Sequence, residues 1–118
     1  MSQFTSRELY DLLNRPAPLW LVGIDLSNAD LRVANFSGAQ LIEANLSGAN
    51  LVGAKLVGAN LSGANLVGAY LAGADLSEAD LSGAIMRDAN LRDAILIDAN
   101  LSEADLSGTT MPDGTKHE

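Results

Sequence analysis

The chain has 118 residues, aromatic residues make up only 4% of it, and its formal net charge is −8. This length fits one domain, and the absence of cysteine excludes disulfides and thiolate metal sites. The negative charge argues against direct nucleic-acid binding and against attachment to anionic membranes, because both need Lys and Arg. The longest apolar stretch near the start, Leu19 to Val22, is too short for a signal peptide or a membrane span, so we expect a cytoplasmic protein.

The first predicted element is a helix from about residue 6 to residue 14. Thr5 and Glu8 have the spacing of a capping box, in which each side chain bonds the other residue's backbone N–H. Leu9, Leu12 and Leu13 belong to an apolar side that we expect to cover the first coil. Two prolines downstream then end the helix.

A five-residue repeat begins near residue 24 and continues without insertion. The residue two places before each central residue is almost always Ala, the preceding one is mostly Asp or Asn, and the second one after it is often Gly. A period of five matches neither a helix nor a flat strand, so a backbone that keeps every central residue inside must turn a corner at each repeat. The central residues are all large and apolar: Leu26, Leu31, Phe36, Leu41, Leu46, Leu51, Leu56, Leu61, Leu66, Leu71, Leu76, Leu81, Met86, Leu91, Leu96, Leu101, Leu106 and Met111.

Segments such as Ala-Asn-Leu-Ser-Gly at residues 44–48 and 59–63 resemble the signature A-[DN]-L-x-x of the pentapeptide repeat family. The resemblance covers roughly residues 24–111. It implies an all-β solenoid, a right-handed quadrilateral β-helix of about four and a half coils, to which we add an N-terminal α-helical cap. The implied inward positions include the predicted core residues Leu46, Leu51, Leu61, Leu66, Leu71 and Leu81.

Three segments are therefore predicted: residues 1–23 as the capping helix and lead-in, 24–112 as the solenoid, and 113–118 as a flexible tail. The Met-Pro-Asp-Gly stretch before the end resembles short cyanobacterial members of the family. No helix is predicted at this end, so we expect it to offer the contact for a weak homodimer.

Trp20, in the lead-in, has two interpretations. It either closes the first coil as part of the cap or anchors a partner protein. We favour the cap, because large aromatic residues are usually mostly buried.

The search for chemistry predicts no catalytic residue, cofactor or metal. The single histidine, His117, lies in the predicted tail. Carboxylates 20 residues apart, such as Glu78 and Asp98, should stack, which suits a weak Ca²⁺ site, an acid/base pair or solvated surface charge. We favour surface charge, because nothing nearby indicates a concave pocket.

The function expected from these features is a non-catalytic structural or binding module that acts through protein–protein contacts with an unidentified partner. The alternative, which the resemblance implies for a subclass of the family, is a DNA mimic acting on a type II topoisomerase. Residues 24–112 carry a net charge of −7, about half of the ~13 charges on a duplex of the same ~22 Å length, so we favour the first. The candidate interaction surface is the acidic set near the C-terminal end: Asp75, Glu78, Asp80, Asp88, Asp93, Asp98, Glu103 and Asp105.

Overall fold

In a computed structural model, described for residues 4–16 and 18–118, one short helix precedes a four-sided solenoid. The helix, α1, spans Ser6–Leu13. The solenoid is held by single β-bridge residues that pair in parallel with the residue 20 positions further on, from Trp20↔Gln40 to Asn90↔Thr110. The molecule measures 37 × 26 × 21 Å. Within the described ranges, no helix is long and apolar enough to cross a membrane.

Three backbone hydrogen bonds per repeat join one coil to the next. In the repeat centred on Leu46, the Leu46 N–H donates to the Asn65 carbonyl at 2.7 Å and the Gly48 N–H donates to the Val67 carbonyl at 2.9 Å. The Asn65 N–H returns a bond to the Ala44 carbonyl at 2.9 Å. Because this pattern recurs with a period of 20 residues, equivalent side chains stack in columns.

The stacking produces four faces, each identified by its column of central residues. The predicted six-residue core lies in these columns, with side chains 0–1% exposed. Face 1 contains Leu21, Leu41, Leu61, Leu81 and Leu101; face 2 contains Leu26, Leu46, Leu66, Met86 and Leu106; face 3 contains Leu31, Leu51, Leu71, Leu91 and Met111; face 4 contains Phe36, Leu56, Leu76 and Leu96.

Each corner is made by the residue two places after the central one, which has a positive φ at every repeat from residue 23 to residue 108. At Leu46 the turn is closed by the Ala49 N–H, which donates to the Leu46 carbonyl at 3.1 Å. Positive φ at the third residue of such a turn is the requirement of a type II turn, which glycine meets without strain. Eight corners nevertheless carry a side chain.

Val33 is the β-branched member of that group, with φ 52°, and it is 75% exposed. Left-handed backbone costs an L-residue about 1–2 kcal/mol, and Asn tolerates it better than Val. We therefore expect Val33→Asn to raise the free energy of unfolding by about 1 kcal/mol in urea titrations. Val52→Asn is the control, because Val52 is exposed but its φ is not positive; an equal gain there would contradict the strain argument.

The interior is narrow because alanine occupies its second inward position. Ala64 is fully buried between Ala44 and Ala84 of the adjacent coils. Leucine at residue 64 would force extra carbon atoms into this space, so Ala64→Leu should cost about 1–3 kcal/mol. Val67→Leu adds volume on the outside of the same repeat and should change stability little. Thermal melts of the two variants compare them, and equal midpoints would contradict this account.

The N-terminal end of the core is covered by α1. Thr5 Oγ1 accepts the Glu8 N–H at 3.1 Å and Glu8 Oε1 accepts the Thr5 N–H at 2.8 Å, which completes the predicted capping box. Leu9 and Leu13 pack against the core while partly buried, and Leu12, from the same predicted apolar side, is the most buried residue of α1 at 5% exposure. A cap at this end keeps the first coil away from solvent.

The predicted start of the solenoid and the predicted flexible tail both need correction. The solenoid begins before residue 24, because Leu21 is a buried central residue and its N–H donates to the Gln40 carbonyl at 2.8 Å. The tail is not free, because Thr110 and Lys116 form an antiparallel bridge and the Gly108 N–H donates to the His117 carbonyl at 2.8 Å. The Asp113-Gly114 pair favours a turn, and a turn at residues 112–114 returns the chain onto the last coil.

Candidate functional site: an acidic, open end of the solenoid

The predicted acidic residues lie close together along the solenoid axis, in the C-terminal coils, but on different faces. Faces 1, 2 and 4 each carry two or three of them, and face 3 carries Asp93. The candidate interaction surface therefore has the form of a band that surrounds the C-terminal coils. Four of these residues occupy the four successive corners of one coil, each with φ of 59–61°: Asp88, Asp93, Asp98 and Glu103.

Three other acids of the set are engaged in local turns. Asp75, Asp80 and Asp105 each accept the N–H and the hydroxyl of the serine two residues later; at Asp80 the Oδ1 distances are 2.9 and 2.6 Å. The serine hydroxyl is the main cause that lowers the pKa of Asp75 and Asp80. The pKa of Asp105 falls to about 2 through its serine and then through Arg87, whose Nε lies 2.6 Å from Asp105 Oδ2.

The remaining acids, which are the corner residue Glu78 and the four corner residues of the next coil, accept no hydrogen bond from any described residue. Glu78 and Asp98 lie in the same column on adjacent coils, as predicted, since the Glu78 N–H donates to the Ile97 carbonyl at 2.8 Å. Among the described residues no group of three or more metal-ligating side chains is assembled, so the Ca²⁺ interpretation gains no support. These five carboxylates are the members of the set that a partner can reach without breaking a turn.

Stability should depend on pH in the acidic range. The pKa of Asp30 is lowered to about 2, chiefly by its hydrogen bond with Arg32, and that of Asp105 is also about 2. A lowered folded-state pKa adds stability that is complete above the unfolded pKa, near 4, and is lost as pH falls towards about 2. We expect the thermal midpoint, measured by circular dichroism, to drop between about pH 4 and pH 2.

A double variant, Asp75→Asn with Asp80→Asn, provides the control for this pH dependence of the thermal midpoint. The Asn45 side chain accepts the same two bonds from Ser47 at 3.1 and 2.8 Å, so an amide preserves the turn without titrating. The double variant should lose less stability on acidification than the parent protein. An unchanged pH profile would show that these aspartates do not contribute to it.

The C-terminal end of the core is less covered than the N-terminal end. Leu96, Leu101 and Leu106 are only partly buried, whereas Leu76 and Leu81, one coil deeper, are 0% exposed. The tail occupies part of this end, where the Met111 N–H donates to the carbonyl of residue 115 at 2.7 Å. Backbone edges on faces 4 and 1 remain without a further coil in the described part of the chain.

Trp20 is not a plug over the first coil. Its side chain is 76% exposed on face 1, because it precedes the inward residue Leu21 and therefore points outwards. Val22, the next outward residue, is 48% exposed, and Ile42 lies above it in the same column. Sequence reasoning missed this cluster because it started the repeat at residue 24; extending the register by one unit would have placed Trp20 outside.

Comparison with known proteins agrees with this geometry. The family model of pentapeptide repeats matches eight copies across residues 20–48, 44–83, 54–93 and 74–111. None of the curated proteins searched matches the chain in sequence.

Several solved structures have a similar fold. A pentapeptide repeat protein from the Arabidopsis thaliana thylakoid lumen is 32% identical, with a TM-score of 0.77 over 83% of this chain and 68% of that one. Rfr23 from the cyanobacterium Cyanothece 51142 is 35% identical, with a TM-score of 0.55 over 89% of this chain and 68% of that one. A trypsin-treated form of QnrB1, a plasmid-mediated fluoroquinolone resistance protein, shares the fold at 20% identity and a TM-score of 0.61, covering 78% of this chain and 58% of that one.

The predicted right-handed quadrilateral β-helix is thereby confirmed. The repeat register, the four stacked columns and the family match describe the same residues, and the chain belongs to the pentapeptide repeat family.

Proposed function

We propose that the protein is a non-catalytic module that binds another protein through the Trp20 cluster, defined as Trp20, Val22 and Ile42 on face 1. The observation that carries this proposal is the 76% exposure of the only tryptophan in the chain. Tryptophan is enriched among the residues that dominate protein–protein binding energy. Its exposed ring offers a large contact area that folding leaves unused.

Tryptophan at position 20 also contributes no local hydrogen bond of the kind that stabilises the other repeats. Elsewhere the residue before the central one is mostly Asp or Asn, whose side-chain oxygen accepts the N–H two residues later, as Asn60 does from Ser62 at 3.0 Å. Tryptophan supplies no such oxygen, and the Val22 N–H has no partner among the described residues. A residue that gives up a local bond and leaves its ring in water is typical of a functional position.

The backbone beneath the cluster is rigidly supported. The Leu21 N–H donates to the Gln40 carbonyl at 2.8 Å, and the Gly23 N–H donates to the Ile42 carbonyl at 2.9 Å. A preorganised apolar surface loses little conformational entropy on binding, which favours affinity.

Crosslinking in extracts of the source cells, followed by affinity recovery of the tagged protein, tests this proposal. We expect Trp20→Ala to reduce recovery of the bound partner at least about tenfold, since such anchors contribute 2 kcal/mol or more, without lowering the melting temperature. Tyr70→Ala is the matched control, because Tyr70 is 54% exposed but lies on face 3. Equal recovery with both variants would contradict binding through the Trp20 cluster.

DNA mimicry, the alternative, receives less support from the arrangement of charge. The carboxylates that accept no hydrogen bond lie mainly at one end of the rod, whereas a duplex presents charge along its whole length. A steep loss of partner binding with added salt, unaffected by Trp20→Ala, would favour mimicry instead.

A further inference from the structure

We propose that the C-terminal edge of faces 4 and 1 receives an extended, positively charged segment of a partner protein, which adds as one more β-strand layer. This proposal rests on the proposed protein-binding function but concerns a surface at the opposite end of the rod from the Trp20 cluster. Three properties of the edge support it: free backbone groups, half-covered leucines and unpaired carboxylates.

The free backbone groups continue the pattern that joins the coils. One coil deeper, the Leu76 N–H donates to the Ile95 carbonyl at 2.8 Å and the Asn100 N–H donates to the Ala79 carbonyl at 2.9 Å. On the last coil, no described residue bonds the N–H groups of Leu96, Asp98, Leu101 and Glu103 or the carbonyls of Ala94 and Ala99. An incoming extended segment that kept the register would satisfy donors and acceptors alternately along both faces.

Apolar contact adds to this hydrogen bonding. Leu96 and Leu101 are partly exposed at the end of their columns, and a further layer would bury them as Leu76 and Leu81 are buried. Ile97, beside Leu96 on the outside of face 4, is 66% exposed. A segment with a large apolar side chain at the inward position would therefore bury additional apolar surface at this edge, which favours its binding.

The negative charge at this edge determines which kind of segment can bind it. Asp98 and Glu103 occupy the corners at the edge itself, and neither carboxylate accepts a hydrogen bond among the described residues. Residues 73–118 hold ten acids against three bases, which leaves a net charge of −7 for this part of the chain. A segment carrying Lys or Arg is attracted to this end, and an acidic segment is repelled.

A second copy of this chain fits the edge less well. Two C-terminal ends brought together would place equal negative charges against each other. The N-terminal end is no better partner, because α1 covers the first coil with Leu12, which is only 5% exposed. The chain's own tail pairs with Gly108 and Thr109 and leaves faces 4 and 1 open.

The test uses the full chain and a labelled peptide of two Ala-Lys-Leu-Lys-Gly units, which mimics two faces of one coil. We expect saturable binding by fluorescence anisotropy in low salt, and at least about tenfold weaker binding of the same peptide with Glu in place of Lys. N-methylation of the lysine before each Leu removes the donors meant for Ala94 and Ala99 and should also weaken binding. Binding that is insensitive to both changes would overturn the proposal.

Amide hydrogen exchange measured by NMR locates the peptide. The N–H groups of Leu96, Asp98, Leu101 and Glu103 should exchange rapidly in the free protein and become protected when the peptide is bound. Protection at other sites, or none, would overturn the edge assignment. If the same amides are protected without peptide while the mass doubles in light scattering, the occupant is a second copy and the proposal is wrong.

A pair of glutamates supplies the matched variants. Glu103→Gln removes a charge at the edge and should weaken peptide binding about two- to fivefold, as expected for one exposed ion pair. Glu43→Gln removes the same charge from the same corner column of face 1, three coils away, and should leave binding unchanged. Equal effects of the two variants would contradict the proposal. A partner whose recovery depends on Trp20 would still support the proposed function if this peptide experiment failed.

Discussion

Replacing Leu66 by alanine is expected to lower the free energy of unfolding by about 2–5 kcal/mol, through lost burial and the cavity that remains. Leu66 is 1% exposed and stacks between Leu46 and Met86, which are both 0% exposed. The backbone there is bonded to the coils on both sides, so the surrounding side chains have little freedom to collapse into the space. Urea titration followed by circular dichroism measures the change.

Leu101→Ala is the matched comparison for this loss. It removes the same atoms from a central residue, but Leu101 is only partly buried at the open end. Its cost should therefore be clearly smaller, because part of the side chain already contacts water. Equal costs at the two positions would show that the end of the solenoid is covered in solution, which also bears on the peptide-binding proposal.

We expect deletion of residues 1–16 to make the protein self-associate through its uncovered first coil. Removing α1 exposes the first central residues of three columns, Leu21, Leu26 and Leu31. These residues are at most 4% exposed in the intact protein. An exposed coil end with apolar residues and free backbone groups is a template for strand addition. Light scattering should show a mass well above that of the monomer, with a lower melting temperature.

A point variant separates loss of the apolar cover from loss of the segment itself. Leu12→Asp keeps the chain length and the capping box of Thr5 and Glu8 but places a charge on the most buried residue of α1. It should reproduce part of the association seen with the deletion. If both variants stay monomeric and melt like the parent, α1 is not a cap, and its apolar side serves a partner instead.

The repeat made most of the fold predictable. An apolar residue at every fifth position, with alanine two places before it, determines which side chains face inwards, and Leu46 and Ala64 are buried accordingly. The capping box of α1 was also predictable from the sequence, because its two residues are only three positions apart. Such features are local: their geometry follows from covalent spacing and from the size of neighbouring side chains.

The candidate site was predictable only in part. The excess of acids near the C-terminal end is a property of composition, but the sequence does not separate Asp80, which is tied into a turn with Ser82, from Asp98, which is not. That distinction depends on the backbone conformation at each acid: Asp98 occupies a corner with a positive φ, whereas Asp80 lies before a central residue, where its side chain reaches the Ser82 N–H.

The sequence by itself determined the period, the inward register and the helical start, because each depends on spacing along the chain. Only the tertiary structure decided which ends are covered. The exposure of Trp20, the return of the tail onto Thr109 and the uncovered edge at Leu96 and Leu101 depend on residues that meet across coils or across the end of the rod. A periodic chain specifies every middle coil alike, whereas a terminal coil lacks one neighbour, so the fold of the flanking segments determines what protects it.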